Sequence, residues 1–317
     1  MQSAERAYQR MKSIQGRATR SERLWGGIRH IPRLIWGLIR NWPFTLALLF
    51  IAWWTFMPIL WTMVSSFKGL REEYLYPLRF IPHIPTLKNY GFLFMYLKDL
   101  PIYFKNSLIT SLGSVVLTVF AASLMGYAFA RLDFRGRDLI FYSLVIAMFI
   151  PRAGSLMAQY ELMHALHLRN SLTGLILLFS SALSVPLFIM RQSFLSMPRE
   201  LEDAALIDGA SRWKLFWAIA MPFAAGGATV VAILTFVRVW GEYLITITMI
   251  DVQWLYTVGV GITMFSGSGA MTYDDPDISA AGIQAAGYLM AALPAMLLYV
   301  FMQKYFVRGL TEGALKF

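Results

Sequence analysis

The chain has 317 residues, of which 57% are hydrophobic and 15% charged, with a net charge of +10 and no cysteine. A soluble domain carries about 25% charged residues, so the composition argues against a soluble globular protein. The lack of cysteine excludes disulfides and thiolate metal sites.

Residues 1–41 hold nine basic and two acidic residues. They are too long and too polar for a signal peptide, and are expected as a basic cytoplasmic segment drawn to anionic membrane lipid. The stretches 44–64, 106–130, 171–190 and 278–303 carry no charge, and each reaches the roughly 20 residues a helix needs to cross a bilayer core of about 30 Å. Two further stretches are interrupted: 139–158 by Arg152, which follows Pro151, and 223–250 by Arg238 and Glu242. The expectation is an all-α polytopic membrane protein with six transmembrane helices. Its permeation region spans 42–306, and a tail covers 307–317.

Lysine and arginine in short loops set orientation. The 131–138 loop has three arginines, 191–222 has three arginines and Lys214, and the tail has Lys304, Arg308 and Lys316. The 251–280 loop has Asp251, Asp274, Asp275 and Asp277 and no basic residue. Both termini are therefore expected in the cytoplasm, with the protein in the cell membrane. The 65–103 loop carries basic residues and fits less cleanly, but long loops weigh less in this rule. Charge confined mainly to one side of a membrane argues against a nucleic-acid partner.

Between the fourth and fifth spans, at 195–222, lies a charged break, "PRELEDAALIDGASRW". Ser196 or Pro198 starts a helix whose first turns hold Glu200, Glu202 and Asp203, where the helix dipole favours acids. Gly209 suits the stop, and Ser211 can cap a second helix. About 11 residues give roughly 16 Å, too short to span. Leu201, Ala204, Ala205 and Asp208 share a face at helical spacing. Two readings stand: a small knob that docks into a partner, or a solvated helix-turn-helix linker.

The segment resembles the conserved loop of binding-protein-dependent ABC importer permeases, patterned E-A-A, three residues, G, nine residues, I, any residue, L-P. Here Asp203-Ala204-Ala205 lead to Gly209 and Ala210, and Ile219, Ala220, Met221 and Pro222 follow at the matching distance. Asp203 stands in place of Glu and Met221 in place of Leu, so either Glu202 or Asp203 can hold the acidic role. "MPILWTMVSSFK", "FIPHIPTLKNYGFLF", "NSLITSLGSVVLTVFAASLMGYAFARLDFRGR" and "QKYFVRGLTEGALKF" resemble elements of the second permease of the maltose-type carbohydrate subfamily. The resemblance implies import of a sugar or oligosaccharide. It also implies a second homologous permease as heterodimer partner, two copies of an ATP-binding subunit, and an extracytoplasmic solute-binding protein. Glu202, Asp203, Ala204, Ala205, Asp208, Gly209, Ala210 and Pro222 would then dock the ATPase.

A phosphate-binding loop needs Gly-Lys-Ser/Thr, and the sequence contains no Gly-Lys pair. The chain is thus expected to be no enzyme and to bind no cofactor, with ATP and Mg used by the partner. Ionisable groups inside a membrane usually face a cavity or a partner, which makes Arg152, Arg238 and Glu242 candidates for the translocation pathway. Arg238 and Glu242 are also spaced to pair with each other. Trp240 and Tyr243 could stack on a sugar or sit at the membrane interface. Glu161, His164 and His167 lack a fourth ligand for a metal, and Asp274, Asp275 and Asp277 lack the Gly and distal Glu of a calcium loop. An ion-coupled secondary transporter acting through Arg152, Arg238 and Glu242 is the alternative, as is an importer of a polyol or glycerol phosphodiester.

Overall fold

The computed structural model describes residues 42–73, 79–150, 152–267 and 275–314, and side chains there except at 152–153, 266–267 and 304–314. The basic segment 1–41, Asp274 and Lys316 lie outside the described residues, as do the side chains of Arg152, Lys304 and Arg308. Among the described residues there is helix and turn and no strand, as the uncharged stretches required. The chain divides into two compact units, 1–61 and 62–317. Helix α1, Trp42–Ser65, begins in the first; it is apolar on every side and has no buried residue. Only lipid or protein accepts such a helix.

The second unit is arranged around α3, Leu100–Arg131, a 32-residue helix about 48 Å long. Thr110, Ser114, Thr118, Ala122, Gly126 and Ala130 recur every four residues along it and are all buried. In lipid no hydrophobic force separates helix from tail, so association rests on close backbone approach across such small residues. Helices α6, Leu172–Ser180, α7, Ser184–Leu195, and α10, Ala225–Trp240, pack on α3. At Gly126 a Cβ would lie 2.7 Å from Met190 Cβ and 3.0 Å from the Arg191 nitrogen.

Several expected spans are broken. Helices α6 and α7 meet at a 54° bend, and Arg212–Phe223 (α9) meets α10 at 73°. With α1, α3 and the Ala280–Gln303 part of α13 (Ala280–Ala314), these two bent pairs are the described segments long and apolar enough to cross a membrane. The stretch 139–158 differs from the single span expected. Helix α4, Arg137–Ile146, passes into a 3-10 turn at Ala147–Phe149, and a second turn, Arg152–Ser155, leads into α5, Leu156–Ala165. Ile150 is extended, with φ −77° and ψ 121°, which is the conformation a following proline imposes. The expected 223–250 span also stops early, at Trp240, and resumes as α11, Leu244–Met249. The last helix runs past residue 306 to Ala314, so the expected tail begins helical.

Before α3 comes α2, Lys88–Tyr96, and after α11 comes α12, Val258–Gly267. Leu93, Leu97, Tyr103, Trp240, Ile262 and Ile283 form one core near the start of α3. Met190, Phe194, Met197, Phe216, Ala220 and Ala224 form another near its end.

Gly126→Val should destabilise the purified protein by about 1–3 kcal/mol through overpacking against α7. Gly226→Ala, at a helix position where a Cβ meets nothing within 4 Å, should be neutral or slightly stabilising. Thermal unfolding in detergent compares the two; equal melting temperatures for Gly126→Val and wild type would disprove the close approach.

Candidate functional site

The charged break forms helix α8, Arg199–Ile207, starting after Pro198 with Glu200 and Glu202 in its first turn. It ends as expected. Gly209 has φ +78°, a left-handed conformation that costs glycine little. The Gly209 N–H donates to Leu206 O at 3.0 Å and the Ala210 N–H to Ala205 O at 2.9 Å. This paired closure satisfies carbonyls the helix leaves open. Ser211 Oγ then accepts from Lys214 N at 3.2 Å, capping α9. Within α9, Phe216–Ala220 is a π-helical turn just before Pro222.

The face expected from spacing splits in two. Ala205 is buried, whereas Leu201, Ala204 and Asp208 are exposed. Ile207 is 86% exposed, unusual for a large apolar side chain at a helix end. The two neighbouring acids also part. Asp203 is exposed. Glu202 turns inward, with Oε1 3.2 Å from Nε of Arg131, their side chains 16% and 4% exposed. Burial pushes the Glu202 carboxyl above its ordinary pKa, while Arg131 and then Arg199 draw it back down.

Arg131 ends α3, and one of its terminal nitrogens also donates to Phe194 O at 2.5 Å and to Met197 O. From the other side, Arg191 of α7 donates through Nε to Phe129 O of α3 at 3.3 Å, with its guanidinium 4.2 Å from the Phe141 ring centre. Each of helices α3 and α7 thus places an arginine on a carbonyl of the other's last turn, Phe129 O and Phe194 O, the latter also accepting from Met197 N at 3.1 Å. The tie extends to α8 through Glu202. No local sequence pattern indicates that Arg131 reaches 71 positions along the chain.

Of the five expected pathway residues, the four with described side chains, Arg238, Trp240, Glu242 and Tyr243, each have separate surroundings. Arg152 lies in the 3-10 turn Arg152–Ser155; its side chain is outside the described residues. Arg238 and Glu242 do not form the expected pair, because α10 ends at Trp240 and the i,i+4 geometry ends with it. Glu242 instead caps α11, accepting from Ile245 N at 2.7 Å, Thr246 N at 3.0 Å and Thr246 Oγ1 at 3.0 Å. Arg238 donates to Phe179 O at 2.9 Å. Trp240 sits in the core near the start of α3. It is 7% exposed, lies 5.4 Å from Phe236 in a stacked arrangement, and donates from Nε1 to Ala291 O at 2.8 Å. Tyr243 is half-buried at the start of α11.

A cavity of about 640 Å³ opens between the 147–150 turn, the start of α7 and α10, with Arg238 in its wall. Toward the start of α3, sequence reading missed two asparagines. Asn89 is fully buried; it donates to Ser66 O at 3.0 Å and Lys68 O at 2.9 Å and accepts from Ser279 N at 3.1 Å. Asn106 donates to Trp254 O at 2.8 Å and Tyr256 O at 3.0 Å. Nearby, Lys88 bridges Asp275 and Asp277 at 2.9 and 2.7 Å, and Arg169 reaches Asp251 at 2.7 Å. Glu161 and His164 lie on α5, where the His164 ring stacks on Tyr160. Among the described residues no three histidine or acidic side chains gather as metal ligands.

The family described as "Binding-protein-dependent transport system inner membrane component" matches residues 28–312. The sulfoquinovosyl glycerol transport system permease protein of Agrobacterium fabrum is 35% identical over 261 residues, covering 82% of this chain and 88% of that protein. The arabinooligosaccharides transport system permease protein of Halalkalibacterium halodurans is 31% identical over 282 residues, covering 88% and 97%. Among solved structures, a bacterial ABC transporter involved in the import of the acidic polysaccharide alginate superposes with a TM-score of 0.70 at 18% identity. It covers 91% of this chain and 98% of that one, a likeness of fold.

If Arg131 holds α8, Arg131→Gln should loosen Arg199–Ile207 by about 3 kcal/mol, the cost of leaving a buried pair half-made. Asp203→Asn should leave that helix unchanged. Amide hydrogen exchange in detergent reads both; equal protection of α8 in Arg131→Gln and wild type would remove the tie.

Proposed function

The chain belongs to the family of binding-protein-dependent transport system inner membrane components, and from that premise we propose that it is one permease half of an ATP-driven importer of a sugar or oligosaccharide. The observation that carries the coupling is α8: a capped helix with an exposed surface, joined through Glu202 and Arg131 to the ends of α3 and α7. Arginines lie in and around it, which by the positive-inside rule supports a cytoplasmic position for it and for both termini. There a separate subunit binds ATP and Mg, since this sequence has no Gly-Lys pair.

In this reading two ATP-binding subunits receive α8 and its counterpart on a second, homologous permease. Asp203, Ala204, Ile207 and Asp208 meet the ATPase. Glu202 and Ala205 position the knob, Gly209 and Ala210 close it, and Pro222 follows the π turn that links it to α10. When the ATPase pair closes, α8 moves, and the helices tied to it move as a body; packed interfaces switch between discrete arrangements rather than stretch. An extracytoplasmic binding protein delivers solute at the opposite face, near the Asp251, Asp275 and Asp277 loops. The carbohydrate assignment is supported by the solutes for which the relatives are named, sulfoquinovosyl glycerol and arabinooligosaccharides. Against the ion-coupled alternative, Glu242 is engaged in capping a helix and Arg238 in bonding a carbonyl.

Gly209→Pro should abolish ATP-dependent uptake while leaving membrane insertion intact, because proline fixes φ near −65° and the native value is +78°. Uptake in proteoliposomes reconstituted with the ATP-binding and partner subunits measures this. Wild-type rates in the variant, or wild-type uptake without ATP, would overturn the coupling assignment.

A further inference from the structure

Helix α9 leaves the bundle sideways. Helix α10 runs alongside α3: Phe236 and Trp240 join the core near the start of α3, and Ala224 and Val231 join the one near its end. Helix α10 therefore shares the axis of that spanning helix. Helix α9 meets it at 73°, which lays α9 close to the plane of the membrane surface.

The residues of α9 divide between two sides. Leu215, Phe216 and Ala220 are buried, with Phe216 against Tyr127 and Phe194. Trp213 and Trp217 turn outward, 60% and 43% exposed, and Arg212, Lys214 and Ala218 are exposed beside them. Trp217 stacks on Phe120 of α3, which is itself exposed, so the aromatic strip continues onto the outer surface of a spanning helix. The segment Arg212–Phe223 holds two basic residues and no acid. The exposed acids Asp203 and Asp208 belong to α8, before the Gly209 turn.

Tryptophan favours the boundary between hydrocarbon and headgroups, where its ring stays apolar and its N–H stays wet. Lysine and arginine lay their stems on apolar surface and hold their charges at the headgroups. A helix in the surface plane with both on its outer side has the pattern of an interfacial anchor. The cytoplasmic leaflet is the one rich in anionic lipid, which complements Arg212 and Lys214.

We propose that α9 is an anchor seated in the cytoplasmic leaflet, with Trp213 and Trp217 at the headgroup boundary and Arg212 and Lys214 binding the phosphates of anionic phospholipid. The proposal rests on the reading that puts α8 in the cytoplasm. It gives α8 a fixed base at the membrane surface beside the ATP-binding subunit.

Ala218→Cys, in a chain with no other cysteine, is spin-labelled in the full chain reconstituted with its partner subunits in nanodiscs of phosphatidylcholine and phosphatidylglycerol. The label should collide more often with oxygen, which dissolves in lipid, than with a water-soluble nickel complex. A label struck mainly by nickel faces water, and one struck by neither is covered by protein, the second permease or the ATPase; either result overturns the proposal. Native mass spectrometry of the full chain then reads lipid binding. Arg212→Gln with Lys214→Gln should weaken phosphatidylglycerol relative to phosphatidylcholine by at least about fivefold, the effect of one basic residue at an anionic surface. Lys98→Gln, at an exposed position just before α3, should change nothing. Equal preference in wild type and the double variant overturns the proposal. Asp203→Cys tests orientation separately with a membrane-impermeant thiol reagent. Labelling from outside overturns the cytoplasmic reading and the leaflet together, whereas labelling from inside with no lipid contact at 218 overturns the anchor alone.

Discussion

Arg131 ends α3, the 32-residue helix around which the second unit is arranged, and its side chain is almost wholly removed from water. A buried guanidinium left unpaired is costly, so its partners are fixed wherever the helix goes. Those partners are the Phe194 carbonyl in the last turn of α7, the Met197 carbonyl just beyond it, and Glu202 on α8. Helices α3, α7 and α8 therefore share one polar junction. Helices α6 and α10 pack on α3 in turn, so in the proposed mechanism a displacement of α8 passes through this junction to α3 and to them.

The rest of the second unit reads as a contrast between that continuous helix and its broken neighbours. Helix α3 runs through 32 residues without interruption, while the segments around it break at 147–155, 181–183 and 241–243. Each break leaves backbone groups that lipid cannot satisfy. Glu242 answers two of them by capping α11, and Arg238 answers one by bonding Phe179 O. The charges inside the fifth expected span thus have local structural work, and Arg238 also lines the cavity beside α7. At the far end of α3, Asn89 and Asn106 play the same part for loops, satisfying carbonyls and a backbone N–H that would otherwise be orphaned in a buried setting.

Much of this was legible in the sequence, for identifiable reasons. Uncharged stretches of membrane length located the helices because the cost of a charge in lipid is large and local. Gly209 and Ser211 marked the end of α8 and the start of α9 because caps depend on neighbouring residues. The division between Glu202 and Asp203 was not legible: it depends on Arg131, far off in sequence, and adjacent acids on a helix differ only in which way they point. The Arg238–Glu242 pairing failed because it assumed a continuous helix across Gly241. The bend between Ser180 and Ser184 is signalled by Pro186, in the first turn of α7, which has no N–H to donate back to Ala182 O; an uncharged stretch of membrane length is no guide to helix continuity.

The central claim is that the exposed side of α8 meets a separate ATP-binding subunit while Glu202 faces its own chain. Because the chain has no cysteine, single-cysteine variants report contact cleanly. Ile207→Cys, Asp203→Cys and, as a control on the opposite face, Trp254→Cys can be cross-linked in membranes containing a co-expressed ATP-binding subunit with its own introduced cysteines. The account predicts adducts at positions 207 and 203, changing in yield when ATP is trapped, and none at 254. Cross-linking at 254 with none at 203 or 207 would contradict it.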